Sequence, residues 1–223
     1  MSHTQVKVCG VRRVGDALHA VSLGASRIGC VLASDSPRQA TTNEVRAIRT
    51  AIGDDDARLV LVFRQESTDR VLNAANATGV SSVQVHRASD SQIVELREHG
   101  LHVTPVVSLG SAHAQRAEQT QRERLARAPE DRRSGSPILV DHGDGGSGQR
   151  FDPRLLDELS ARDLFVAGGL TANNVAALIQ AHQPLGVDVS SGLESRPGVK
   201  DPMAMSAFFE AVRLAESASE VRR

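Results

Sequence analysis

The stretch RLVLVFRQESTDRVLNAANATGVSSVQVHRASDSQIVELREHGLHVTPVV, Arg58 to Val107, decides the fold. Within it three short β-branched runs, Arg58–Phe63, Ser81–Val85 and His102–Val107, are separated by segments of helical composition and turn residues. Strands that alternate with helices signal a parallel sheet wrapped by helices, because each crossover must carry the chain back along the sheet face. Working outward, the same alternation continues in both directions. Strands are expected at Gln5–Cys9 and Ser26–Leu32 before it, and at Pro137–Asp141, Leu164–Ala167 and Gly186–Val189 after it. Eight such strands can close on themselves, so the expected fold is α/β, a single (βα)8 barrel domain over residues 1–223. Val14, Ala17, Leu18 and Val21 fall at helical spacing, as do Met205, Phe208, Phe209 and Val212, and each set predicts one apolar helix face. Thr171 is read as an N-cap before Val175, and Asp152-Pro153 as a cap followed by proline at the first helical position. The charged segment around 111–136 has no seam of large apolar residues. It is expected to be a solvated helix followed by a mobile loop, and the tail ESASEVRR to fray.

The bulk numbers exclude several classes of function. A net charge of -1 leaves no electrostatic footprint for nucleic acid, and no cationic amphipathic stretch suggests membrane binding. No apolar run approaches a membrane span, and MSHTQVKV lacks the basic and then apolar segments of a secretory signal, so a cytoplasmic location is expected. Cys9 and Cys30 stand in neither a metal-ligand nor a CxxC spacing, which predicts reduced thiols and no metal. With no Trp or Tyr, recognition of bases by stacking is disfavoured and aliphatic side chains must fill the core. A small molecule is the expected partner, with the chain a monomer or a homodimer.

In a parallel barrel the functional groups sit at the C-terminal ends of strands and in the loops that follow. Cys9, Arg38, Asp141, Gly169 and Ser190 all fall there. A lone cysteine in a strand is more often a small buried hydrophobe, and Cys30, mid-strand, is read that way. Cys9 differs, because it ends its strand and is followed by Gly10. Asp141 could be only the cap of the next helix, but the loop GDGGSG that follows it favours a functional role. Gly168 and Gly169 after strand seven, and Ser190, Ser191 and Gly192 after strand eight, offer backbone N–H groups where barrels bind phosphate. Gly145, Gly146, Ser147 and Gly148 form a further anion-binding loop after strand six. Singly such loops are often mere turns. Three of them at strand ends predict a phosphorylated ligand.

The segments VKVCGVRRVGDA, SDSPRQ, ILVDHGDGGSGQRFD, AGGLTANNV and GVDVSSGLESRPGVKD together resemble the phosphoribosylanthranilate isomerases of tryptophan biosynthesis, in order and over most of the chain. The resemblance implies a (βα)8 fold and an Amadori rearrangement of N-(5-phosphoribosyl)anthranilate to a 1-deoxyribulose 5-phosphate, without cofactor or metal. On this reading Asp141 is the general acid and Cys9 the general base. Arg38 meets the anthranilate carboxylate, since a guanidinium fork suits a carboxylate. Asp188, in the motif GVDVSSG, orients neighbouring loops. His86 stands where the family often has His-Gly-Asp, but HRAS follows a different pattern, and it is left outside the catalytic set.

Three departures surround the aryl end of such a substrate. The second strand lacks aromatics near Gly29 to Leu32, Arg64-Gln65 replaces the usual Asn after strand three, and GGSGQ stands for GGTGK. Two alternatives therefore stay open: a relative that rearranges another N-phosphoribosyl amine, and a paralogue that binds phosphosugars without turnover.

Overall fold

The computed structural model describes residues 3–53, 58–109, 137–142 and 161–221. Eight strands pair in parallel in the order β1 to β8, and β1 pairs again with β8 to close the barrel. They are β1 (Gln5–Cys9), β2 (Arg27–Val31), β3 (Leu59–Arg64), β4 (Ser82–His86), β5 (His102–Leu109), β6 (Ile138–His142), β7 (Leu164–Ala167) and β8 (Gly186–Val189). The α/β barrel expected from the alternation is thus present, with strand ends within two residues of those read from sequence. The described helices are α1 (Val14–Leu23), α2 (Thr42–Ile52), α3 (Thr68–Thr78), α4 (Asp90–Glu98), α5 (Val175–His182) and α6 (Pro202–Val221). The expected helix and loop at 111–136, the Asp152-Pro153 cap and the Gly145–Gly148 loop lie outside the described residues.

Helix starts follow local chemistry. Thr41 and Glu44 form a reciprocal capping box on α2, and Ser67 and Ser89 accept from backbone N–H groups at the starts of α3 and α4. Asp201 accepts from the Met203 and Ala204 N–H groups at the start of α6. Thr171 is not a side-chain cap. The cap of α5 is Asn174, whose side chain accepts from Thr171 N–H and donates to the Gly169 carbonyl, binding the preceding loop instead of the helix. The apolar face of α1 is also turned from the predicted one. Ala17 and Ala20 are buried while Leu18 is 45% exposed, because small residues let this helix approach the barrel closely. Met205, Phe208, Phe209 and Val212 bury together on α6 as expected.

Strand alternation sorts the core into two compartments. Val6 and Val8 of β1 pack outward into the large cluster shared with the helices, where Cys30 also sits, fully buried. Cys9 faces inward with Val31, Ala33, Val60 and Val62, and across the interior Val106, Leu139, Phe165 and Ala167 form a second inner cluster. Lys7 and Asp188 share the inward faces with these residues, by the same period of two. Gly186 explains how Phe165 fits. A Cβ there would lie 2.5 Å from the Phe165 ring, so the missing side chain is the space the ring occupies. Arg27 covers that ring at 5.4 Å from its centroid.

Candidate active site

At the C-terminal mouth, Cys9 and Asp141 both point inward, the first ending β1 and the second on β6 two residues beyond Leu139. Both are buried. Parallel strands put their ends at one rim, so residues 132 positions apart in sequence open on one cavity mouth, from different arcs of the barrel.

Gly10 is the hinge of the site. Its φ of 74° is costly for any side chain, and a Cβ would sit 2.8 Å from Arg38 Cδ and 3.0 Å from Ser190 Oγ. The chain therefore turns out of β1 directly beneath Arg38 and Ser190, which places both next to Cys9. Arg38 is already engaged. Its Nε donates to both Glu194 carboxylate oxygens, at 2.9 and 3.1 Å, and Nη2 donates to Oε2 at 2.9 Å. Glu194 in turn accepts from Lys200 Nζ at 2.9 Å, and the same ammonium donates to the Ser190 carbonyl at 3.0 Å. This chain of contacts is held by a two-stranded antiparallel ribbon, β9 (Glu194–Arg196) and β10 (Val199–Lys200). Sequence reading missed both Glu194 and Lys200 as site residues. Their spacing in GLESRPGVKD is that of a short hairpin with Pro197-Gly198 at its turn, the signal that could have found them.

The second buried ion pair joins Lys7 Nζ to Asp188 Oδ2 at 2.9 Å, across the seam where β1 meets β8. Lys7 was also missed, although it lies two residues before Cys9 and so shares its inward face. Burial pushes the Cys9 thiol up from its ordinary value; the Lys7 and Lys200 charges pull it down, and Asp188 adds to the rise. Burial alone would lower Lys7, but Asp188 and then Cys9 outweigh it and hold the ammonium charged. Burial likewise acts to raise Glu194, yet hydrogen bonds from Arg38 and the charge of Lys200 keep its carboxyl below the ordinary range.

The two predicted phosphate loops touch. A Cβ on Gly192 would run into the Leu170 carbonyl oxygen, so the loop after β8 packs its backbone against the loop after β7. Gly168 and Gly169 both have left-handed φ values, which shape the second of these loops. Ser191 to Leu193 form a single 3-10 turn rather than the start of a long helix. Gly145, Gly146 and Gly148 lie outside the described residues. His86 ends β4 on the inward face, where the Gln84 amide meets its Nε2 at 3.0 Å. Burial first, then the charges of Lys7, Arg64 and Arg87, drives His86 down to about 3, so its ring is neutral.

A family model described as N-(5'phosphoribosyl)anthranilate (PRA) isomerase matches residues 6–211. The chain belongs to this isomerase family. Its sequence is 35% identical to the N-(5'-phosphoribosyl)anthranilate isomerase of Deinococcus radiodurans over 209 residues, covering 94% of this chain and 96% of that one. Its fold matches a crystal structure of a phosphoribosyl anthranilate isomerase in complex with reduced 1-(o-carboxyphenylamino)-1-deoxyribulose 5-phosphate. The TM-score is 0.76 at 27% identity, over 94% of this chain and 98% of that one. It also matches monomers generated from the dimeric isomerase of Thermotoga maritima, with a TM-score of 0.73 at 27% identity, over 94% and 98% of the two chains.

Proposed function

We propose that this chain catalyses the Amadori rearrangement of N-(5-phosphoribosyl)anthranilate, with Asp141 as general acid and Cys9 as general base. The observation that carries the assignment of roles is the placement of a buried thiol and a buried carboxyl on inward faces of β1 and β6, at the mouth flanked by the loops after β7 and β8. Each proton transfer follows from this chemistry. Asp141 donates a proton to the ribose ring oxygen as the C1'–O bond breaks, leaving an iminium on the anthranilate nitrogen. The donor must hold its proton at working pH, and a desolvated site favours the neutral carboxyl. The thiolate of Cys9 then takes the proton on C2', the electrons of that bond neutralise the iminium, and the enolamine tautomerises to the ketone. Acid and base suffice, so no cofactor or metal is called for.

The loops at Gly168–Gly169 and Ser190–Gly192, with Gly145, Gly146 and Gly148, hold the 5'-phosphate in this reading, and Asp188 holds the loop geometry. Arg38 meets the anthranilate carboxylate through guanidinium edges that Glu194 leaves free. A second reading, in which another N-phosphoribosyl amine is the substrate, draws on that same contact, since Glu194 already occupies most of the Arg38 fork. We further read the chain as one barrel domain that works in the cytoplasm, as monomer or homodimer. No helix among the described residues is long and apolar enough to cross a membrane.

The test is turnover of freshly prepared phosphoribosylanthranilate by wild type, Cys9→Ala and Asp141→Ala, with a second N-phosphoribosyl amine run alongside. Each variant is expected to lose about a hundredfold or more in kcat, the scale of acid–base catalysis. A loss confined to KM would remove the proton-transfer roles. Faster turnover of the other amine would select the second reading.

A further inference from the structure

The mechanism above leaves two buried groups unused: Lys7 and the glycine beside it, Gly29 of β2. Lys7 is 2% exposed and inward, an unusual place for an ammonium. Its carboxylate partner Asp188 is also buried, and among the described residues Asp188 Oδ1 has no hydrogen-bond partner, so the pair is not fully satisfied by the fold. Such a pair stabilises little compared with apolar packing. What it does supply is a fixed positive charge at a defined point in the barrel.

That point lies against Cys9. Gly29 is the register partner of Cys9 across the β1–β2 ladder, and a Cβ built on it would lie 2.9 Å from Cys9 Sγ and 3.0 Å from Lys7 Nζ. Sulfur and ammonium thus flank one small space, no further apart than the sum of those two distances. At that range the ammonium charge acts on the thiol and favours its ionised form. Any side chain at residue 29 would fill this space. Gly29 is not needed for backbone reasons, since it has no left-handed φ.

We infer that Lys7 is a positioning residue for the reaction: its ammonium, clamped by Asp188, is the charge against which the Cys9 thiolate forms, and Gly29 is the gap that lets the two meet. The inference rests on the reading of Cys9 as the base. The thiolate still takes the C2' proton and becomes a thiol, while Lys7 keeps its own protons throughout. Other groups also face this pair. Asp188 comes from β8, Glu194 and Lys200 from the β9–β10 ribbon, Arg27 from β2, and His86 from β4, while Cys30 lies on the outward side of β2. Asp188 opposes thiolate formation, Lys200 assists it, and His86 is neutral.

The absence of Trp and Tyr provides the readout, because the ultraviolet absorption of a thiolate is then free of tyrosinate overlap. In a Cys30→Ala background Cys9 is the one titrating thiol. Lys7→Met should move its midpoint up by about one unit or more, the scale for loss of an opposite charge at close range. The limb of the kcat–pH profile on which activity rises as the thiolate forms should move with it, and KM should change little. Because Lys7→Met leaves Asp188 buried and unpaired, Lys7→Met/Asp188→Asn provides a charge-balanced arm, read by thiol titration against Asp188→Asn alone. Gly29→Ala keeps every charge and should also raise the midpoint by parting the two groups. A folded Lys7→Met or double variant that titrates with its reference midpoint overturns the inference, and if neither folds, an unmoved midpoint in Gly29→Ala does so. Should Cys9→Ala keep full activity, the base assignment fails instead, while the titration still decides whether Lys7 governs the thiol.

Discussion

Two arcs of the barrel mouth handle buried polarity in opposite ways. Along β8, β1 and the β9–β10 ribbon, Lys7, Asp188, Glu194 and Lys200 are charged and buried, and each meets a counter-charge at 2.9 Å. Along β3 and β4 the inward polar groups are neutral: buried Gln84 hydrogen-bonds the half-buried His86, whose ring desolvation keeps uncharged. The charged pair on that side, Arg64 with Asp35, sits at the rim with Asp35 69% exposed. The difference is one of dielectric. A compensated charge in a dry interior acts strongly on its neighbours, whereas a rim pair is screened by water. In the proposed mechanism, proton chemistry therefore has its electrostatic support on the β8–β1 side, where Cys9 is, and the rim of the β3–β4 side can vary in charge at little cost to the fold.

Four changes would break or sharpen that contrast. The largest effect is expected from Glu194→Gln, which leaves Arg38 and Lys200 without their carboxylate. Removing one member of a buried ion network costs about 3–5 kcal/mol, to be read from urea unfolding. The pH dependence follows. The folded carboxyl is depressed, so its stabilisation is present above the unfolded value near 4.5 and is lost as pH falls through the lower folded value. The variant should lack that acid limb. An equally acid-labile variant would show that Glu194 is not the group responsible.

Next comes Gly192→Ala. The new methyl group would press on the Leu170 carbonyl and part the loops after β7 and β8, at about 1–3 kcal/mol and with a raised KM for the phosphorylated substrate. Unchanged stability and KM would show that the two loops can separate freely. On the neutral arc, His86→Gln is expected to act through pH alone. The folded imidazole is depressed to about 3 from 6.5, so protonation favours the unfolded chain and stability is lost as pH falls through that window. Thermal unfolding of the variant should be flatter there, and a wild-type curve already flat between those values would refute the assignment. Smallest of all is Arg64→Gln, which should leave the denaturation midpoint in place, since its partner is solvated. A clear drop would mean that the two arcs are not electrostatically distinct.

Much of the fold could be read residue by residue. β-branched runs of four to eight residues marked all eight strands, because both faces of a parallel barrel strand are buried and so demand such residues. The face of α6 was legible in Met205, Phe208, Phe209 and Val212, whose bulk leaves one way to pack. The face of α1 was not, because Ala17 and Ala20 carry weak hydrophobic signals and win burial by size. Thr171 looked like a cap and is not one, because the Asn174 side chain competes for the same turn. In the site, Cys9 and Asp141 stood out by their place at strand ends, and their parallel strands end at the same rim. Arg38 was singled out for its guanidinium fork, but the carboxylate that the structure sets against it, Glu194, 156 positions away, was not.

What the sequence determined by itself is the local and periodic part: eight alternations, the caps of α2 to α4, the inward parity of Lys7 and Cys9, and the glycines that shape the loops. These depend on neighbours a few residues away. The tertiary structure alone decided which charges compensate which. Lys7 finds Asp188 across 181 residues because closure brings β1 to β8, and Gly29 opens the space between ammonium and thiol because the register sets it opposite Cys9. Electrostatic partnership is a matter of distance in space and of excluded water, and neither exists until the barrel is closed.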